Sequence, residues 1–345
     1  MKRFRDFRAA PDESGKPPPA WEADRLLHRL EWTVLRRLDG LLQGDWRTLM
    51  RGAGLDLADL REYQHHDDVR HIDWNVTARL SQPYVRLFNE DREMTAWFVL
   101  DLSRSVDFGS GARTKRDMSA GFVGVLARLL TRHGNRVGAL IYDSRLRTVI
   151  APGTGRRQVL QLLHAMRPGA AAPTAPASTA PGTTRLAELF AAAGSVIRRR
   201  STVFVVSDFQ SVPGWEPALG RLALRHEVIG VRLHDPLETE LPDLGLLPLA
   251  DGETGECLWV NTHDAGFRKR FTHLAGLREQ ELQRMLARAG VDTLELSTQN
   301  DLAEAIARFA HLRRQRAGIG GGGGGSSSAV THAPTNATKA KAAAA

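Results

Sequence analysis

The residues of this chain best suited to chemistry lie in the string Asp101-Leu102-Ser103-Arg104-Ser105, directly after the apolar run Trp97-Phe98-Val99-Leu100. An apolar run of that length reads as a buried strand, so the string sets small oxygen donors at the strand's carboxyl end. Positions Asp101, Ser103 and Ser105 alternate and can turn toward one point as the chain leaves the strand. They offer one carboxylate and two hydroxyls to a hard cation such as Mg²⁺, which takes oxygen ligands in near-octahedral geometry and usually keeps some water. A second carboxylate is placed in the same manner, because Thr202-Val203-Phe204-Val205-Val206-Ser207 runs straight into Asp208. If the two strands are parallel neighbours, Asp208 comes near Asp101. A third element, Gly182-Thr183-Thr184-Arg185-Leu186, opens a helix, where a hydroxyl can ligate a metal or simply cap the helix. Each element alone is weak: Asp-x-Ser-x-Ser strings arise by chance, and Ser103 and Ser105 serve equally well in capping or turns.

Positioning these groups requires a sheet, and the segment from about residue 94 to 316 has the pattern of one. Short apolar runs (Ala96 to Leu100, Val137 to Tyr142, Thr202 to Val206, Val228 to Leu233) alternate with longer helical stretches (Lys115 to His133, Gly155 to Met166, Leu186 to Arg199, Trp215 to Leu224). Nearly continuous apolar runs are expected where helices cover both faces of a sheet, and crossovers of this length join parallel strands. The pattern predicts an α/β domain with a mostly parallel sheet flanked by helices. Leu146 to Ile150 follows Tyr142 after a short turn and reads as an antiparallel edge strand. Thr272 to Ala289 and Leu302 to Arg316 read as further helices. The Ala/Pro/Ser/Thr stretch from Ala170 to Pro181 reads as a long loop beside the carboxyl ends of the strands, the edge at which open α/β sheets bind ligands.

Outside that segment, Met1 to Ala20 contains Pro17-Pro18-Pro19 and reads as a disordered leader, and residues 317–345 as a disordered Gly/Ser/Ala-rich tail. Leu26, Leu27, Leu30, Val34, Leu35, Leu38, Leu41 and Leu42 recur at three- and four-residue spacing, which predicts an amphipathic helix at the start of an N-terminal subdomain over 21–93. Within it, residues 40–93 are expected to contain strands and to dock on the α/β core. His65, His66, Asp67, Asp68, His71 and Asp73 crowd together, yet strand-like alternation would split them between two faces. Asp67, Asp68, Arg70 and Arg79 are better read as salt-bridge partners, with Trp74 as a packing anchor.

Several functional classes find little support. The net charge of +8 invites a nucleic-acid partner, but the basic residues sit beside acidic ones and no aromatic platform accompanies Arg198-Arg199-Arg200 or Arg313-Arg314. No apolar stretch approaches the roughly 20 residues that cross a bilayer, and the Lys/Arg/Phe pattern of Met1 to Arg8 lacks an apolar core like a signal peptide's, so a cytoplasmic location is expected. Cys257 is the single cysteine and lies among Leu258, Trp259 and Val260, which predicts an inert buried thiol. The chain has no Gly-x-Ser-x-Gly elbow, phosphate-binding Gly-Lys-Ser/Thr loop or His-Glu-x-x-His helix. Asp101 at a strand end is placed like the nucleophile of haloacid-dehalogenase-like phosphotransferases, but Ser103 stands where those need a second Asp. The expectation is a protein that is not an enzyme.

The order of the three oxygen-bearing elements resembles the metal-ion-dependent adhesion site (MIDAS) of von Willebrand factor A domains. That resemblance implies a von Willebrand factor A-like (Rossmann-like) fold in which Ser103, Ser105 and Thr184 coordinate Mg²⁺ or Mn²⁺, while Asp101 and Asp208 act mostly through water. Thr184 is preferred to Thr183 because Thr184-Arg185-Leu186 fits the family's Thr-x-Leu pattern, although Arg185 stands where an acidic or amide residue is common. Upstream, Arg61-Glu62-Tyr63, Asp67-Asp68-Val69-Arg70-His71-Ile72-Asp73-Trp74 and Thr77-Ala78-Arg79 closely resemble the signature of the bacterial family called domain of unknown function 58. His66 replaces that signature's Gly, and Val106 its Met after Ser105. The resemblance spans residues 40 to 315 and implies a partnership with a MoxR-type AAA+ ATPase or its client protein; a metal held mainly by neutral hydroxyls would keep much of its charge, so the partner residue it takes should be acidic. The functional expectation is a metal-dependent protein–protein interaction module. A basic nucleic-acid-binding protein is the alternative, separable by its steep salt dependence and indifference to chelator.

Overall fold

The computed structural model describes residues 21–38, 57–63, 72, 74–80, 82–88, 94–143, 145–167, 184–250 and 257–319. The predicted loop at Ala170 to Pro181, the residues Asp67, Asp68 and Arg70, the leader and most of the tail lie outside them.

A six-stranded sheet forms the centre. In chain order its strands are β3 (Thr95–Asp101), β4 (Arg136–Asp143), β5 (Arg145–Gly153), β6 (Thr202–Ser207), β7 (Glu227–His234) and β10 (Asp292–Ser297). They lie side by side as β10-β7-β6-β3-β4-β5, all parallel except β5, which pairs antiparallel with β4. The four anticipated core strands and the antiparallel edge strand are therefore present. β10 was not anticipated, since Asp292-Thr293-Leu294-Glu295-Leu296-Ser297 alternates polar with apolar residues instead of forming a continuous apolar run.

Helices cover both faces, and the side-chain alternation of β3 shows the division. Ala96, Phe98 and Leu100 point into one core, with Phe122 and Leu126 of α3 (Lys115–Arg132), Val159 and Leu163 of α4 (Gly155–Ala165) and Ile306 of α8 (Leu302–Ile319). Trp97 and Val99 point into the other, against Leu189 and Phe190 of α5 (Leu186–Val196), Leu219 of α6 (Glu216–Arg225) and Leu282 of α7 (Ala265–Arg288). Burial on both sides is why these runs lack polar alternation. At Gly138 in β4 an added Cβ would sit 3.0 Å from both the Trp97 ring and the Ile150 carbonyl oxygen, so a larger residue would fit only if a neighbour shifted.

The N-terminal helix, α1 (Trp21–Leu30), continues through a wide π turn at Glu31–Leu35. It places Leu27, Leu30, Leu35 and Leu38 in the same core as Phe122 and Leu126, with Arg128 of α3 pairing Glu31 at 2.6 Å. Two small antiparallel pairs stand apart from the central sheet: β1 (Leu57–Glu62) with β2 (Tyr84–Phe88), and β8 (Leu246–Ala250) with β9 (Cys257–Asn261). The helix α2 (Trp74–Leu80) precedes β2. Two expectations fail here. Trp74 is 69% exposed and anchors nothing, because it begins a short helix and does not lie on a strand. Cys257 is exposed, as are its neighbours Leu258 and Trp259 on the two-stranded β8–β9 pair.

Among the described residues, no helix is long and apolar enough to cross a membrane.

Candidate functional site

The sheet order reverses between β3 and β6: from β3 the chain runs outward through β4 and β5, then returns to β6 on the other side and continues to β7 and β10. At such a switch point the connections leave the two strands in opposite directions and open a crevice at their carboxyl ends. Asp101 ends β3 and Asp208 directly follows β6, so the two predicted carboxylates flank that crevice.

Asp101 is wholly buried and both its oxygens accept hydrogen bonds, Oδ1 from the Ser103 amide at 3.1 Å and Oδ2 from the Ser207 hydroxyl at 2.7 Å. The Ser103 amide bond turns the chain back on itself, and a single 3₁₀ turn over Arg104–Asp107 follows. Ser103 stands at the N-cap of that turn but its side chain caps nothing. Its hydroxyl faces the Ser105 hydroxyl instead, with 3.1 Å between the oxygens, both residues being buried. The capping role that the residue types allow is thus absent at Ser103.

Asp208 sits in a tight loop. Its Oδ1 accepts from the Gln210 amide at 3.1 Å, and its Oδ2 lies 2.7 Å from Lys115 Nζ, which also reaches Glu238 Oε1 at 2.6 Å. The next residue, Phe209, has φ of 58° and is the one non-glycine residue with positive φ among those described. An aromatic residue in this conformation is strained, and strain persists where surrounding structure fixes it. Here the Ser207 hydroxyl accepts the Phe209 amide at 2.8 Å and the ring packs against Trp215, 5.4 Å between centroids.

Thr184 is buried and lies just before α5. Its carbonyl accepts from the Val212 amide at 3.0 Å and from the Ser211 hydroxyl at 2.9 Å, while the Arg185 amide donates to the Tyr142 hydroxyl at 3.1 Å. Tyr142 is the register partner of Asp101. Thr184 is therefore fastened to the Asp208 loop on one side and to β4 beside Asp101 on the other. Thr183, the fallback, lies outside the described residues.

The electrostatics follow from burial. Removal from water, and next the negative charge of Asp208, push the Asp101 carboxyl up to about 6, against hydrogen bonds from Ser207 and Ser103 that favour the ionised form. Burial acts to lower the Lys115 ammonium, but Asp208 and Glu238 outweigh it and hold the group above the usual lysine range. His234, at the end of β7, is pushed down to about 4 by burial and by Arg232.

The donor set suits a hard cation. It contains only oxygen: three buried hydroxyls and two carboxylates. The 3.1 Å between the Ser103 and Ser105 hydroxyl oxygens is slightly longer than the edge of about 2.9 Å of an octahedron built on Mg–O distances of about 2.0–2.1 Å, so a small shift would let both ligate one ion. Both Asp101 oxygens are already engaged, as are both of Asp208, so the carboxylates are set to orient hydroxyls or waters in preference to direct ligation. Among the described residues there is no group of three or more His, Cys, Asp or Glu placed to hold a metal, so any cation here depends on the hydroxyls.

Ser207, Lys115, Glu238 and Tyr142 were not singled out from sequence. Ser207 had a usable signal, its place between an apolar strand and Asp208. Lys115 and Glu238 had none, being 123 positions apart and joined only by folding.

A family model described as "Protein of unknown function DUF58" matches residues 59–283. Uncharacterized proteins of Mycobacterium tuberculosis and Mycobacterium bovis are each 36% identical over 294 residues, covering 85% of this chain and 90% of theirs. Among solved structures, the conserved hypothetical protein BatB from Bacteroides thetaiotaomicron aligns with a TM-score of 0.41 at 13% identity, over 64% of this chain and 99% of that one. An aerotolerance-related membrane protein from Bacteroides fragilis aligns with the same TM-score and coverage at 11% identity.

Proposed function

The chain belongs to the DUF58 family of proteins of unknown function, and from that premise we propose that it is a von Willebrand factor A-like module that holds Mg²⁺ or Mn²⁺ and uses it to bind an acidic side chain of a partner protein. The observation that carries this is the pair of buried hydroxyls of Ser103 and Ser105, 3.1 Å apart at the switch point of the sheet, with Ser103 making no side-chain cap. Ser103, Ser105 and Thr184 would hold the ion, and Asp101 and Asp208 would orient the hydroxyls and bound water. A divalent ion held by neutral hydroxyls keeps much of its charge and supplies an open position for an outside oxygen.

The protein's own groups do the rest. Asp101 fixes the Ser103 turn, Ser207 fixes Asp101, and the strained Phe209 aims the Asp208 loop into the crevice. The partner is a MoxR-type AAA+ ATPase or its client, met by this chain in the cytoplasm. Protein is favoured over nucleic acid because several of the basic side chains among the described residues are spent on ion pairs, among them Arg116 with Asp107, Arg128 with Glu31, Arg232 with Glu279 and Arg313 with Glu227.

The test is capture of partners from the native cell with Mg²⁺, with EDTA, and at raised salt. Recovery of one protein that EDTA releases supports the proposal. Capture that ignores EDTA and collapses with salt would favour a polyanion and overturn it.

A further inference from the structure

Lys115 is the least expected group near the site. It is the first residue of α3 and 1% exposed, so its ammonium is both removed from water and set at the positive end of a helix dipole. Both effects oppose a cation there. It is held by the two carboxylates it reaches, Asp208 at 2.7 Å and Glu238 at 2.6 Å, with the Phe108 ring 6.0 Å away. His234, at the end of β7, is a further titratable group near this ammonium.

Glu238 is also fixed by groups other than Lys115. Its Oε2 accepts from the Asp235 amide at 3.0 Å and its Oε1 from Gln210 Nε2 at 2.9 Å. Asp235 is anchored in turn by the Ser110 amide at 2.9 Å and the Thr298 hydroxyl at 2.6 Å, which tie the β3–α3 loop and the end of β10 to the same point. Gln210 bonds both Glu238 and, through its amide, Asp208. A simple ion pair would need only one carboxylate; this lysine is clamped between the Asp208 loop and a separately braced acid.

We infer that Lys115 is the site's own tethered cation, competing with the divalent ion for Asp208, and that Glu238 sets the outcome by drawing the ammonium away from Asp208. The inference rests on the metal-binding reading of the same site. When ionised, Asp101, Asp208 and Glu238 with Lys115 carry two net negative charges, which one divalent ion cancels. Lys115 thereby weakens metal binding and leaves the loaded site neutral, so that an acidic ligand is not repelled.

The charge logic assigns opposite signs to two substitutions. Lys115→Met removes a like charge and frees an Asp208 oxygen, and should tighten Mn²⁺ binding by about tenfold or more. Glu238→Gln leaves the ammonium to Asp208 alone and should weaken it by about tenfold. Mn²⁺ binding to the full chain at pH 8, read from the free-ion electron paramagnetic resonance signal, measures both against the parent. Opposite shifts support the inference, as does binding that appears only in Lys115→Met. Affinities in both variants within about twofold of a parent that binds Mn²⁺, or shifts of the same sign, overturn it and leave the metal site standing. No binding by any of the three sinks both ideas. If Lys115→Met does not fold, Glu238→Gln decides alone, and an unchanged affinity overturns the inference.

Discussion

Ser207 Oγ lies 2.7 Å from Asp101 Oδ2, a bond that joins residues 106 positions apart and ties the carboxyl end of β6 to that of β3. The same hydroxyl accepts the amide of Phe209, so one small side chain holds both the carboxylate of one strand and the strained loop after the other.

That double role makes Ser207→Ala informative. Losing a buried hydrogen bond to a carboxylate costs about 1.5–3 kcal/mol, and the Phe209 amide loses its acceptor as well. Asp101, deprived of a bond that favours its ionised form, should titrate above its present value of about 6. Carboxyl carbon chemical shifts followed against pH in the variant should show the rise; an unchanged titration would mean that the bond is not made in solution.

The raised Asp101 carboxyl also fixes a direction for stability against pH. Its value of about 6 in the fold lies above the ordinary 3.8, so between those values the folded chain binds more protons at this group than the unfolded chain. The contribution of Asp101 to stability therefore falls as pH rises from about 4 to about 6 and stays low above that, a change on the order of 3 kcal/mol. Asp101→Asn removes the titration. In urea unfolding without divalent metal, the difference in stability between variant and parent should move in the variant's favour by roughly this amount from pH 4 to pH 7. A difference independent of pH would contradict the cause assigned to the shift.

Ser103→Ala with Ser105→Ala removes the two facing hydroxyls, which bond each other and remove no large apolar group. The cost to folding should be about 1 kcal/mol. Equilibrium dialysis should show Mn²⁺ binding lost in a double variant whose melting stays within a few degrees of the parent. Retained Mn²⁺ binding would place any metal site elsewhere.

Expressing residues 94–316 alone should give an aggregating or partly unfolded product. The cut removes Leu27, Leu30, Leu35 and Leu38 from a core they share with Phe122, Leu126 and Leu163, exposing apolar surface on α3 and α4. Full burial of each such side chain contributes roughly 1.5–3 kcal/mol, so four are comparable to the whole stability of a domain. A well-behaved monomer with sharp amide resonances would show that α1 is dispensable.

Much of the sheet could be read along the chain because burial on both faces forces continuous apolar residues, as in Thr202 to Val206. Where that pressure is absent the reading lost its grip. β10 is half-polar, and in β8 and β9 the apolar Leu246, Leu258 and Trp259 are exposed, with Leu258 and Trp259 on opposite faces, so no apolar-in, polar-out alternation marks these strands. Residue type at Trp74 and apolar neighbours at Cys257 point to the interior, yet both are exposed.

By itself the sequence determined the donors that could act and the strands that could carry them, since Asp101, Ser103 and Ser105 are local and Asp208 directly follows an apolar run. Tertiary structure alone decided that β3 and β6 are neighbours at the reversal of the sheet order, that Ser207 bridges them, and that Lys115 and Glu238 meet at Asp208. The reason is physical: strand order and the pairing of buried charges depend on which distant segments exclude water together, and no local spacing records that.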